Sequence, residues 1–464
     1  MKPLQRVKTL VPGLDDLLGG GMFEAGVYFV QGSPGSGKTT LANQMCFAHI
    51  LQGGAALYLT LLAESHARMM QHMLDQSFFD ASMVGRRISY VSGYRDLESG
   101  GLKGIVALAR AELARQKATL LVLDGLVLPP ATNLGDDDRR LKEFVHELQS
   151  LAALLGCCVM LLTSGRGRSI AAEQSMVDGI FALDDHPIGS RNERLIEVTK
   201  FRGSATARGR HSFCITNDGV RIYPRLESLE TPPSLAAARA EVVASGLPGL
   251  DALYLGGGAR AGSTTLLLGQ SGAGKTLLGL LYLAQSSGSE PGLLAGFNEA
   301  PDVLVEVARG VGIDLAPKLS SGELHLQWTG PGDHALDQLG HELLLAVDRR
   351  GVRRLVIDSI AGFADKAMFA ERGYRFVGAL LDELRRRSVA TVLVCDADAL
   401  AALGVPHIGA GLVALVEHVV EMSVGDTGRT LRVKKARGQR FDPLPRALSI
   451  ADTGLSVGGR QTVQ

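Results

Sequence analysis

The segment GVYFVQGSPGSGKTTLANQMCFAHILQ, residues 26–52, runs from an apolar stretch through a glycine-rich turn into a helical pattern. The turn reads G-x-x-x-x-G-K-T, and a strand before it and a helix after it are the context in which that spacing forms a phosphate-binding P-loop. Gly32, Ser33, Pro34, Gly35, Ser36, Gly37, Lys38, Thr39 and Thr40 form this first loop and its helix start. The glycines let backbone N–H groups converge on phosphate oxygens, and the helix N-terminus adds positive dipole. Lys38 would reach the β- and γ-phosphates, and the Thr39 hydroxyl would ligate Mg²⁺. STTLLLGQSGAGKTLLGLLYLAQSS, residues 263–287, repeats the arrangement with Gly269, Gln270, Ser271, Gly272, Ala273, Gly274, Lys275, Thr276 and Leu277. One such motif could be a ligand-free glycine turn; two in matching contexts argue for two nucleotide sites.

The repetition extends beyond the loop. PGLD starts at Pro12 and again at Pro248, GGG at Gly19 and Gly256, and K-x-R-G at Lys200 and Lys435, in one order and at nearly one offset. Two copies of one domain follow, not a solenoid with a repeat of about 20 to 50 residues. The segment RLESLETPPSLAAARAEVV contains Pro232-Pro233 and lacks strand-like apolar runs. The expected organisation is a first ATPase domain at 1–228, a linker with a short helix at 229–243 and a second ATPase domain at 244–464. Within each copy near-continuous apolar strands alternate with amphipathic helices. That pattern predicts an α/β fold, a mostly parallel sheet with helices on both faces. LIEVTKF with SFCITND, and TLRVKKA with RALSIAD, predict late antiparallel hairpins.

Composition excludes other classes. Lys plus Arg and Asp plus Glu both number 48, so the net charge is zero, and 46% of the 464 residues are apolar. Such a chain is neither disordered nor a polybasic nucleic-acid arm. The five cysteines form no CxxC pair and no disulfide scaffold. Cys157 and Cys158 lie where a helix end meets a buried strand. No run approaches the roughly 20 residues that span a bilayer, and the N-terminus lacks a signal-peptide core. A cytoplasmic location without membrane association is expected.

LLVLD and RLVID end apolar strands in Asp124 and Asp358, 86 and 83 residues after the respective loop lysines. A carboxylate there holds Mg²⁺ or its water, with Thr39 and Thr276 as the other protein ligands. Glu64 and Glu299, after the second strand of each copy, are the candidates to polarise an attacking water. His66 and His72 are six apart, the wrong spacing for a metal pair on one helical face.

Together, the tandem loops, PGLD with GGG before each, the acidic residue after the second strand, and K-x-R-G near each domain end resemble the circadian clock protein KaiC family of RecA-like ATPases. The resemblance covers nearly the whole chain. It implies ATP and Mg²⁺ as cofactors, and a homo-hexameric ring with ATP between subunits. It also implies that Lys200 and Arg202, and Lys435 and Arg437, act on a neighbour's phosphates. Where relatives carry paired glutamates, this chain has Ala63-Glu64 and Asn298-Glu299, which implies slow turnover. Val413 and Ala414 fall at the family's phosphorylated positions and cannot accept phosphate. The family's C-terminal tail for its activator is expected to be absent. The reading is therefore an ATP-hydrolysing protein outside the standard oscillator, its nucleotide state controlling ring assembly or binding of an unidentified protein partner. Three alternatives are a RecA- or RadA-type DNA-dependent ATPase, a nucleotide-binding scaffold, and a serine/threonine kinase of the same family. Zero net charge counts against nucleic acid as a partner.

Overall fold

The computed structural model describes residues 5–61, 66–126, 136–164, 176–229, 241–330, 332–364, 366–368, 370–396 and 408–460. The chain divides into two compact units, Met1–Leu229 and Glu230–Gln464.

In the first unit the principal elements are β1 (Val27–Gly32), α1 (Lys38–Leu51), β2 (Ala56–Thr60), α2 (His66–Met73), β3 (Ile88–Ser92), α3 (Tyr94–Gln116), β4 (Leu120–Leu126), α4 (Asp136–Leu155), β5 (Cys158–Ser164), β6 (Gly179–Ile188), β7 (Arg191–Phe201), β8 (Arg210–Thr216) and β9 (Gly219–Tyr223). They form one nine-stranded sheet, ordered β9-β8-β7-β6-β1-β5-β4-β2-β3. From β6 to β3 all neighbours are parallel, and from β6 to β9 all are antiparallel.

The second unit repeats the plan with β10 (Thr264–Gly269), α5 (Lys275–Ala284), β11 (Gly292–Gly296), α6 (Pro301–Gly310), β12 (Leu324–Trp328), α7 (Leu336–Arg350), β13 (Arg354–Asp358), α8 (Ala370–Arg386), β14 (Ala390–Asp396), α9 (Ile408–Leu415), β15 (His418–Gly425), β16 (Gly428–Ala436), β17 (Arg446–Ala451) and β18 (Gly454–Arg460). Its sheet is ordered β12-β11-β13-β14-β10-β15-β16-β17-β18. The late antiparallel part of each unit is thus a four-stranded meander, longer than a single hairpin.

The first strand shows why these runs fold as they do. All six residues of β1 are buried. Side chains alternate across a strand, so Tyr28 and Val30 join the core containing Leu41, Met45 and Cys46 of α1. Val27 and Phe29 join the opposite core with Ile105 and Leu113 of α3 and Phe144 and Leu148 of α4. A strand covered on both faces is apolar throughout instead of alternating.

The segment expected to link the domains is structured at both ends. Leu226–Ser228 form a short 3-10 turn with Leu226 buried, and Val242–Val243 pair antiparallel with Ala259–Arg260 of the second unit. The expected short helix falls within residues 230–240, outside the described residues. Among the described residues no helix is long and apolar enough to cross a membrane. All five cysteines are free thiols.

Candidate nucleotide sites

Each glycine loop leaves the C-terminal end of its central parallel strand and opens a helix. Gly37 and Gly274 are the N-caps of α1 and α5, with φ of 96° and 95°. That left-handed backbone suits glycine and strains other residues. Neither helix has a side-chain cap, so first-turn N–H groups remain as donors for an anion. The loop also starts against a neighbouring strand. A Cβ on Gly32 would fall 2.5 Å from the Leu183 carbonyl oxygen, and one on Gly269 would fall 2.1 Å from that of Met422.

Lys38 Nζ donates to the carbonyls of Gly32 (2.8 Å) and Ser33 (2.9 Å). Lys275 Nζ donates likewise to Gly269 (2.8 Å) and Gln270 (2.7 Å). Burial lowers the Lys38 pKa, and the nearby Asp124 charge opposes the shift.

Both aspartates come to the loop threonines; Asp358 ends β13 as expected, while β4 continues past Asp124 to Leu126. Thr39 Oγ1 donates to Asp124 Oδ2 at 3.1 Å, and Thr276 Oγ1 donates to Asp358 Oδ2 at 2.6 Å. Burial raises the Asp358 pKa. Glu299 pushes it the same way, while the Thr276 hydrogen bond and Lys275 oppose it. Glu299 is itself exposed. Uncapped amides, an ammonium and a hydroxyl–carboxylate pair suit a nucleotide polyphosphate with its divalent cation. Among the described residues no cluster of three His, Cys, Asp or Glu could hold a metal without such a ligand. Thr40 and Leu277 lie in the first turns of the two helices. Glu64 lies outside the described residues.

The first site is a pocket of about 240 Å³ lined by Lys38, Thr39, Asp124, Thr60, His66 and Ser164, among others. Sequence reasoning missed three contributors. The Tyr58 hydroxyl donates to Asp124 Oδ2 at 2.6 Å, and burial foremost, with the Asp124 charge, keeps that phenol protonated. Thr60 Oγ1 and His66 Nε2 lie 2.7 Å apart, and burial lowers the His66 pKa. Strand register matches Tyr58 with Leu294 and Thr60 with Gly296 in the second unit. The signal for these residues is a difference between the copies, whereas the loop and aspartate motifs are shared by both.

The K-x-R-G residues are not brought to their own loops. Lys200 registers with Ile180, and Ile180 with Phe29, three residues before Gly32. Arg202 N donates to the Asp178 carbonyl, and Asp178 N to that of Val27. At about 3.3 Å per residue, the Arg202 backbone lies about 16 Å from the level of Gly32 along the strands. The second unit matches. Lys435 registers with Val419, and Arg437 N donates to the Glu417 carbonyl. The side chains there fold back onto the end of α9. Lys435 Nζ donates to Val413 O (2.5 Å) and Val416 O (2.7 Å), and Arg437 Nη2 to Ala414 O (3.0 Å).

Residues 7–227 and again residues 243–462 match the family described as "ATPase: KaiC". The circadian clock oscillator protein KaiC of a Picosynechococcus species is 24% identical to this chain, covering 98% of it and 90% of the relative. The circadian clock oscillator protein KaiC 1 of a Synechocystis species is 23% identical, covering 98% and 89%. A UPF0273 protein of Pyrococcus horikoshii is 26% identical over 235 residues, 47% of this chain and 94% of its own length.

Proposed function

The chain belongs to the KaiC family of ATPases, and on that premise we propose that both units bind Mg²⁺–ATP and hydrolyse it slowly. The observation that carries the reading is the duplicated set of uncapped helix start, loop lysine and threonine–aspartate pair. The loop amides and Lys38 or Lys275 hold the phosphates. Thr39 with Asp124, and Thr276 with Asp358, hold the cation, which would screen charge on the transferring phosphoryl group. Glu299 and Glu64 orient the attacking water, and lone glutamates in place of the relatives' pairs support slow turnover.

Lys200, Arg202, Lys435 and Arg437 act in trans, across the interfaces of a cytoplasmic homo-hexamer whose assembly or protein binding follows nucleotide state. The roughly 16 Å between each arginine backbone and its own loop supports action on a neighbour. In the second unit Lys435 and Arg437 must first leave the α9 carbonyls. Zero net charge supports a partner other than nucleic acid.

A mixing experiment tests the trans assignment. Arg202→Ala and Lys38→Ala chains, both carrying Lys275→Ala, should each be nearly inactive, since a true trans arginine is worth on the order of 10³-fold. Mixed, they form some interfaces with an intact loop facing an intact Arg202, and phosphate release should partly return. Mixed rings as dead as either parent would refute the assignment.

A further inference from the structure

The two candidate sites differ in charge at one register position. In the first unit Gly32, where the loop begins, registers with Ser164 at the end of β5. In the second, Gly269 registers with Asp396 at the end of β14. Asp396 Oδ2 stands 3.5 Å from Lys275 Nζ, and the Lys275 side chain is 8% exposed. An ammonium has three donors. Those of Lys275 face two loop carbonyls and this carboxylate. Those of Lys38 meet two carbonyls among the described residues, and its pocket wall there offers the neutral Ser164.

The consequence depends on which phosphate a ligand brings. Loop amides cradle the α- and β-phosphates, while the lysine reaches forward to the β- and γ-phosphates. A nucleoside diphosphate keeps the amide contacts. A triphosphate adds charge beside Lys275, takes its donor from Asp396 and faces that carboxylate at short range. Like charges in a partly buried site are screened poorly.

We propose that Asp396 makes the second site select against the γ-phosphate, so that it holds nucleoside diphosphate in preference to triphosphate, while the first site lacks this selection. The inference rests on both loops being nucleotide sites. It gives the units different parts: the first takes up triphosphate, and the second retains diphosphate after any turnover.

The competing role for Asp396 is as a further ligand for the cation of Mg²⁺–ATP, which predicts the opposite sign. The test uses full-length chain carrying Lys38→Ala, so that only the second site binds. Equilibrium dialysis with labelled Mg²⁺–ADP and a labelled non-hydrolysable Mg²⁺–ATP analogue gives the ratio of the two affinities. Asp396→Asn and Asp396→Ser should shift that ratio toward triphosphate by about tenfold or more. ADP affinity should stay within about threefold, which also reports that the site is folded. In a Lys275→Ala chain, Ser164→Asp should move the first site's ratio the other way. An unchanged ratio in the Asp396 variants overturns the proposal, as does a shift toward diphosphate. If the Lys38→Ala parent binds neither nucleotide, the reading of the second loop as a nucleotide site fails, and this inference fails with it.

Discussion

In the first unit Tyr28 stands on the loop strand with no exposed surface, stacked on Phe181 (5.8 Å) and Phe201 (5.9 Å), and Phe201 in turn on Phe23 (5.6 Å). In the second unit the matching strand positions hold Thr265, Val420 and Ala436. A Cβ on Gly179 would lie 2.7 Å from the Tyr28 ring, so that position has room for glycine alone. With Thr265 in place of the tyrosine, the equivalent residue is His418, buried and edge-on to Tyr254 at 5.4 Å. A pocket of about 40 Å³ lies beside these residues, lined by Thr265, Tyr254 and Tyr282 among others. The same backbone plan thus carries an aromatic stack in one copy and smaller side chains at the matching positions of the other. Phe201 of the stack adjoins Lys200 and Arg202 in sequence, and Lys435 and Arg437 of the second unit donate to carbonyls of α9.

Three measurements test this difference between the units. The largest expected effect is from Tyr28→Ala, which should destabilise the first unit by about 3–5 kcal/mol, while Thr265→Ala costs the second far less. Calorimetry can follow both units, because the single tryptophan, Trp328, marks the second unit's transition by fluorescence. Equal losses would mean that the aromatic stack does not distinguish the cores.

Next comes pH. Burial pushes the His418 pKa down to about 4; Arg260 and Lys435 add to this, and Glu417 opposes it. A folded pKa below the unfolded value of about 6.5 means that stability is complete above pH 6.5. It is lost as pH falls toward 4, by about 3 kcal/mol. The second transition of wild type should therefore lose about that much more than His418→Gln between those pH values. Parallel pH curves would contradict the burial argument.

The smallest effect is expected from Tyr58→Phe. It removes one hydrogen bond to the Asp124 carboxylate and leaves Thr39 in place. Mg²⁺-dependent nucleotide binding at the first site should weaken by about tenfold. The second site, with Leu294 at that position, should not change. An effect on both sites would make Tyr58 a folding residue instead.

The parallel sheets and both loop sites were legible in the sequence because their signals are contiguous. An apolar run, a glycine loop and a helix occupy neighbouring residues, and duplication checks each against its copy. Asp124 and Asp358 could be found because each follows an apolar run, although only Asp358 ends its strand and β4 continues past Asp124 to Leu126. Tyr58, His66 and Asp396 were not legible. Each acts through a partner supplied by another element, and the register that joins them is set by packing across the sheet. The self-contacts of Lys435 and Arg437 were hidden for the same reason, since the α9 carbonyls they meet are about 20 residues away in sequence.

The two proposed nucleotide sites can be counted as labelled ATP bound per chain, with Mg²⁺ present and nucleotide well above saturation. About two should bind to wild type, about one to each of Lys38→Ala and Lys275→Ala, and none to the double variant. Full stoichiometry in the double variant would rule out both loops as the nucleotide sites.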